Sequence, residues 1–136
     1  MSADGFFDTN VLVYVYAVVQ DDPRSQQAED LIAEGGTVSL QVLSEFAAVA
    51  WRKAKMPWDE VRFAIENINT LCPDLLPITL ATHRDALSRA ERYGFGIYHA
   101  LIVASALEAK CTTLYSEDMP DGQIIGGKLT MRNPFQ

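Results

Sequence analysis

The stretch Gly5-Phe6-Phe7-Asp8-Thr9-Asn10, running into Val11-Leu12-Val13-Tyr14-Val15-Tyr16-Ala17-Val18-Val19, decides the fold. A short apolar run that closes on a carboxylate predicts a strand ending at Asp8, and the apolar stretch behind it predicts a helix over residues 10–19. The C-terminal lip of a strand is where open α/β sheets place their ligand chemistry. No Gly-rich loop follows, which excludes a nucleotide or phosphate cradle of that kind.

Outward from this unit, caps and breakers divide the chain. Asp22 offers an N-cap with Pro23 at the first helical position, opening a second helix that stops before Gly35 and Gly36. Residues 37–39 form a short strand candidate. Over residues 40–55 the apolar positions Val42, Phe46, Val49 and Ala50 keep helical spacing, and Arg52, Lys53 and Lys55 sit at the helix end that suits cations. A helix over residues 58–71 follows, then a strand at 75–78 that Pro77 marks as short or at an edge. Thr79 or Thr82 caps a helix through Tyr93, which Gly94 closes as a left-handed stop. Residues 97–109 are apolar on nearly every side and predict a central helix. Strands at 112–115 and 128–131 complete the pattern. Strands separated by one or two helices imply an α/β fold, a parallel sheet of about four or five strands with helices on both faces.

The 136 residues form one domain by length and suffice for a full core. Hydrophobic residues at 49% and charged ones at 21% exclude disordered and fibrous classes. The nine-residue run at 11–19 falls short of the roughly 20 residues that span a bilayer. Met1-Ser2-Ala3-Asp4 has no basic region ahead of an apolar one, so we expect no secretory signal, no membrane contact and a cytoplasmic protein. Cys72 and Cys111, the two cysteines, are expected as buried free thiols. A net charge of −7 argues against loose nucleic-acid binding, though not against a nucleic acid at a local, metal-neutralised site.

Four places carry candidate chemistry. Asp8 is either a plain N-cap or a metal ligand, with Asn10 placed to hold it. Glu45 has Val42, Ala48 and Val49 at helical spacing, so its charge either faces the core and needs a partner, or shares a polar strip with Gln41 and Ser44. The turn Ser116-Glu117-Asp118-Met119-Pro120-Asp121 is either a solvated loop or, beside Asp8, a source of hard oxygen ligands. His99 interrupts a helix with almost no other polar side chain; it is a rim histidine or a ligand that suits manganese better than magnesium. His83 reads as surface. Arg52, Lys53 and Lys55, with Arg84, Arg89 and Arg92, are candidates for phosphate contacts or else solvated helix faces.

Together these residues resemble the PIN-domain ribonucleases, in particular VapC-type toxins of toxin–antitoxin operons. The resemblance rests on Phe7-Asp8-Thr9-Asn10-Val11-Leu12-Val13-Tyr14, on Ser39 through Glu45-Phe46, on Tyr98 through Ala106, on Leu114-Tyr115-Ser116-Glu117-Asp118-Met119 and on Asn133-Pro134-Phe135. It runs nearly end to end. It implies an acidic pocket that binds Mg²⁺ or Mn²⁺ and hydrolyses RNA phosphodiesters. Asp8, Glu45 and Asp118 match the family's catalytic, metal-holding acids; Asn10, Ser116, His99 and Asp121 would support them.

His99 departs from the family pattern by standing where an aspartate is usual. It removes a negative charge from the pocket, which implies weaker magnesium binding and either low activity or a preference for manganese. The resemblance also implies a homodimer, neutralised by a small antitoxin that inserts a basic side chain among the acids. The main rival is a catalytically impaired protein of the same fold that binds antitoxin or RNA. A metal-dependent phosphatase is the rival from another class; Asp8-Thr9-Asn10 lacks the second aspartate, two residues on, that a haloacid-dehalogenase-type enzyme needs.

Overall fold

Strand β1 (Gly5–Phe7) is buried at every position. A three-residue run with no polar alternation suits a strand covered on both faces, and β1 pairs in parallel with a neighbour on each side. The structure, a computed structural model, describes residues 5–17 and 21–136. Met1 through Asp4, on which the signal expectation rests, and Val18 and Val19, the end of the first predicted helix, lie outside the described residues.

Six strands form one sheet in the order β3-β2-β1-β4-β6-β5. The five expected strands are β1, β2 (Thr37–Ser39), β3 (Asp74–Leu76), β4 (Thr113–Tyr115) and β6 (Leu129–Arg132), all parallel to their neighbours among these five. β3 lies at the edge; it starts one residue and ends two residues earlier than predicted, and it stops before Pro77, which lacks the N–H that would extend the ladder. The sixth strand, β5 (Ile124–Ile125), pairs antiparallel with β6. Gly126 and Gly127, at φ 61 and 65, turn the hairpin, and Lys128 N donates to Ile125 O at 3.1 Å. Two central residues at positive φ are what a tight primed turn requires. Lys128, read as strand, is therefore the last residue of that turn.

Two helices separate each consecutive pair among the first four strands. α1 (Thr9–Tyr16) starts on Asp8, and α2 (Pro23–Ala33) starts on Asp22, whose carboxylate accepts from Arg24 N. α3 (Leu40–Arg52) starts on Ser39 and stops three residues short of the prediction, since Lys55 sits at φ 58 in the left-handed region. α4 (Trp58–Leu71) and α5 (Leu80–Tyr93) fall as read; Thr79 caps α5, and Gly94 ends it at φ 78. In α6 (Ile97–Glu108) all seven residues from Ala100 to Ala106 are buried. Ile102, Val103 and Ala106 join the core around the sheet, while Ala100, Leu101 and Ala104 pack against α5 through Ala86. A helix so enclosed has no polar face to offer, as its sequence shows. Cys72 and Cys111 are buried and not disulfide-bonded, and burial pushes the Cys72 thiol up to about 11. Among the described residues no helix is long and apolar enough to cross a membrane.

The strand order fixes where a ligand can sit. From β1 the chain builds outward through β2 to β3, then returns to place β4 on the other flank of β1. The crevice beyond the C-terminal ends of β1 and β4 is thus a topological switch point, the preferred ligand position of open α/β sheets.

Candidate metal centre and cleft

Asp8 follows β1 directly, and Ser116, Glu117 and Asp118 follow β4, so the register that aligns Phe7 with Tyr115 brings both carboxyl groups to the switch point. Asp8 caps α1 by accepting from Thr9 N at 2.7 Å. Its other oxygen accepts from Ser116 Oγ at 2.6 Å. Ser116 in turn accepts from Asp118 N at 3.1 Å, so one hydroxyl ties the two acidic segments together. Asn10 completes the tie: its Nδ2 donates to Asp118 Oδ2 at 3.1 Å, and its Oδ1 accepts from Glu117 N at 3.3 Å.

Asp8 is 3% exposed. Burial pushes its carboxyl above the ordinary value, against the hydrogen bonds from Ser116 and Thr9 and the attraction of His99, which favour the anion; Asp118 nearby raises it further. Opposite, α6 supplies His99. One ligand atom each from Asp8, His99 and Asp118 lie within 4.8 Å of one another. Two carboxylates and an imidazole at that spacing fit a divalent cation, and the unbalanced buried charge of Asp8 gives the cation a reason to bind. The mixed donor set suits manganese better than magnesium.

Glu45, expected as a metal ligand with Asp8 and Asp118, lies outside the group of three whose ligand atoms approach within 4.8 Å, and His99 lies inside it. The α3 helix brings Glu45 to the same cleft, where Oε1 accepts from Thr9 Oγ1 at 2.9 Å and Oε2 from Gln41 Nε2 at 2.6 Å. Gln41 also donates to Tyr98 O at 3.1 Å, which links α3 to the start of α6. Both of Glu45's oxygens are thereby oriented, outside the three-residue group.

Asp121 does not reach the cleft. It is exposed, and its carboxylate accepts from Asn133 N at 2.8 Å, a loop-to-loop tie. Three glycines and an antiparallel hairpin follow it, and a sequence position three residues past Asp118 does not reveal that turn. Glu117 also faces away. Tyr14 OH donates to it at 2.7 Å, and Arg24 pairs with it at 2.9 Å while lying 4.5 Å above the Tyr14 ring. Burial first, then Glu117, push the Tyr14 phenol up to about 12. Sequence reasoning missed this clamp: Tyr14 sits one turn beyond Asn10, which was legible, but nothing in α2 marks Arg24.

The cleft holds about 450 Å³. Beyond Asp8, Asn10, Glu45, His99 and Asp118 it is lined by Val13 and Tyr14 of α1 and by Ala48, Val49, Arg52 and Lys53 along α3. His83 is exposed on α5, as expected.

A model of the PIN domain matches residues 5–119. The chain belongs to the PIN-domain family. The match covers β1, the α3 acid, His99 and the turn after β4, so the PIN domain contains the whole cation cluster. Three solved structures share its fold. VapC20 of Mycobacterium tuberculosis, a toxin that cleaves the sarcin-ricin loop, is 17% identical with a TM-score of 0.68, over 84% of this chain and 91% of its own. A toxin–antitoxin complex from Klebsiella pneumoniae is 16% identical with a TM-score of 0.71, over 96% and 97%. FitAcB from Neisseria gonorrhoeae is 19% identical with a TM-score of 0.63, over 96% and 98%. No curated protein matches the chain significantly in sequence.

Proposed function

We propose that this PIN domain is a divalent-metal-dependent endoribonuclease, the toxin of a VapBC-type toxin–antitoxin module. The observation that carries the proposal is the convergence of Asp8, His99 and Asp118 within 4.8 Å at the switch point, inside a PIN domain. Its likeness in fold to VapC20, an RNA-cleaving toxin, and to a toxin–antitoxin complex supports the substrate and the partner.

Asp8, Asp118 and His99 would hold the cation, Mg²⁺ or Mn²⁺, with Glu45 flanking it. When bound, the cation supplies Lewis acidity and a water of lowered pKa. The chain's own residues orient the acids. Ser116 and Thr9 N fix both oxygens of Asp8, Asn10 and Ser116 fix the Asp118 segment, and Thr9 and Gln41 turn Glu45 toward the cleft. No side chain is required as a covalent nucleophile. An antitoxin would complement the acid cluster with a basic side chain, and a homodimer remains part of the proposal.

A second reading rests on His99 alone. An imidazole in place of a third carboxylate lowers the pocket's negative charge and weakens magnesium, which favours a PIN-fold module that binds RNA or antitoxin without cutting. The two separate on cleavage of a structured RNA panel in Mg²⁺ or Mn²⁺ by the wild type, His99→Asp and Asp8→Asn. Cleavage raised by His99→Asp and abolished by Asp8→Asn supports the nuclease. Absence of cleavage by wild type and His99→Asp, with both binding Mn²⁺, moves the conclusion to the binding module.

A further inference from the structure

The cleft is not uniformly acidic. Along α3 the residues that line it recur as Glu45, Ala48, Val49, Arg52 and Lys53, one face of the helix. At the Glu45 end stand Asp8 and Asp118. Ala48 and Val49 form an apolar floor with Val13 of α1 opposite, and Arg52 and Lys53 close the far end. The protein carries a net charge of −7, and Arg24, Arg62 and Arg89 each pair with a carboxylate, so a cation at the cleft stands against an acidic background. Neither Arg52 nor Lys53 is in an ion pair among the described residues. Lys55, read with them in the sequence, does not line the cleft.

Seven helical residues separate Glu45 from Arg52, about 10 Å along the axis. That span takes about three nucleotides at the stacked spacing of about 3.4 Å per nucleotide, and fewer in an extended strand. A stacked single strand with one phosphate at the acid cluster would therefore bring a phosphate about three nucleotides along the strand to Arg52 and Lys53. The sugars and bases between them would lie over Val13, Ala48 and Val49.

We infer that Arg52 and Lys53 form a second phosphate subsite, which sets the direction of a single-stranded RNA along the cleft and holds it at a phosphate a few nucleotides from the one under attack. They are positioning residues, not catalytic ones. The inference rests on the nuclease reading for its substrate. It gives the end of α3 a role distinct from cation binding.

The test measures anisotropy of a fluorescein-labelled, single-stranded RNA 12-mer with Mn²⁺, read before turnover, across a salt series. Proteins compared are the wild type, Arg52→Gln, Lys53→Gln and, as a control of equal charge change, Arg62→Gln on the exposed face of α4. Thermal shift with Mn²⁺ alone runs in parallel. Arg52→Gln and Lys53→Gln should each weaken RNA binding about five- to tenfold at 100 mM salt and flatten the log–log salt slope by about 0.7, while Arg62→Gln leaves both unchanged. All four should bind Mn²⁺ alike. Equal RNA binding by all four proteins overturns the inference alone and leaves the basic end free for a protein carboxylate. Mn²⁺ binding without any RNA binding by the wild type overturns the nuclease reading and the inference together.

Discussion

Ser116→Ala probes the bond on which the site's geometry depends. Ser116 is 1% exposed, and its hydroxyl donates to Asp8 at 2.6 Å while accepting from Asp118 N at 3.1 Å. A hydrogen bond to a buried charged group contributes about 1.5–3 kcal/mol, and no water can replace it where the serine is enclosed. The Asp118 amide is half-buried and regains part of its loss from solvent. The expected destabilisation is about 2.5 kcal/mol at pH 7 in EDTA, or roughly 9 °C in Tm for a domain of this length. Urea unfolding followed by the fluorescence of the stacked pair Trp51 and Trp58 measures it, with an unchanged m-value as the control for the denatured state. The bond favours the ionised Asp8, so the loss should shrink as pH falls through the raised folded value and be smallest below the ordinary aspartate value of 3.8, where the carboxyl is protonated in both states. Mn²⁺ affinity should fall about 10- to 100-fold, because an unsupported carboxylate no longer presents a fixed oxygen. A stability loss below about 0.5 kcal/mol, or one that is the same at pH 7 and pH 3.5, would refute the claim that Ser116 secures a buried charge.

Burial raises the Asp8 carboxyl, so its protonated form contributes stability that is fully present below 3.8 and lost as pH rises through the folded value. Metal-free Asp8→Asn should accordingly melt higher than wild type at pH 7, with the advantage gone below pH 3.8; saturating Mn²⁺ should raise only the wild type, and equal Mn²⁺ shifts would count against Asp8 as a ligand. For His99→Asp, a new charge taken at about 5 Å from a divalent cation in solvent-like dielectric adds about 1.7 kcal/mol, so calorimetric titration should find Mg²⁺ bound roughly twentyfold more tightly; an unchanged affinity contradicts a ligand role for position 99. In Gly36→Ala the new Cβ would lie 2.6 Å from the Phe7 ring and 2.8 Å from Gly5 O, and the backbone oxygen cannot step aside. A cost of about 2–3 kcal/mol in urea unfolding is expected, with weakened Mn²⁺ binding because Phe7 precedes Asp8; a loss under about 0.5 kcal/mol would show that β1 and β2 separate freely.

Legibility in the sequence followed how local each signal is. Capping and stop residues placed helix ends closely: Asp22 with Pro23, Thr79 and Gly94 act through bonds within one turn. Boundaries slipped where the decisive contact is a backbone state without its own residue code, as at Lys55, a non-glycine residue at φ 58 that ends the α3 segment early. β5 escaped notice because a two-residue strand has no periodicity to read, although Gly126-Gly127 marked the turn. In the site, Asp8 and Asp118 were legible because each follows a strand that parallel pairing must bring beside the other. Asp121 misled, since its distance in sequence from Asp118 says nothing about the turn that carries it to Asn133.

Glu45 and His99 show why a ligand set is harder to read than a cleft. Both project from helices toward the same opening, and residue type alone favours the carboxylate. The difference lies in placement: Thr9 and Gln41 orient both oxygens of Glu45 along α3, whereas α6, enclosed by the sheet and α5, holds the His99 ring within 4.8 Å of Asp8 and Asp118. A helix buried from Ala100 to Ala106 cannot rotate to withdraw His99 without exposing apolar surface. The identity of residue 99 therefore sets the charge of the candidate cluster with Asp8 and Asp118 on a fixed helix. His99→Asp can change metal preference and activity on an unchanged fold.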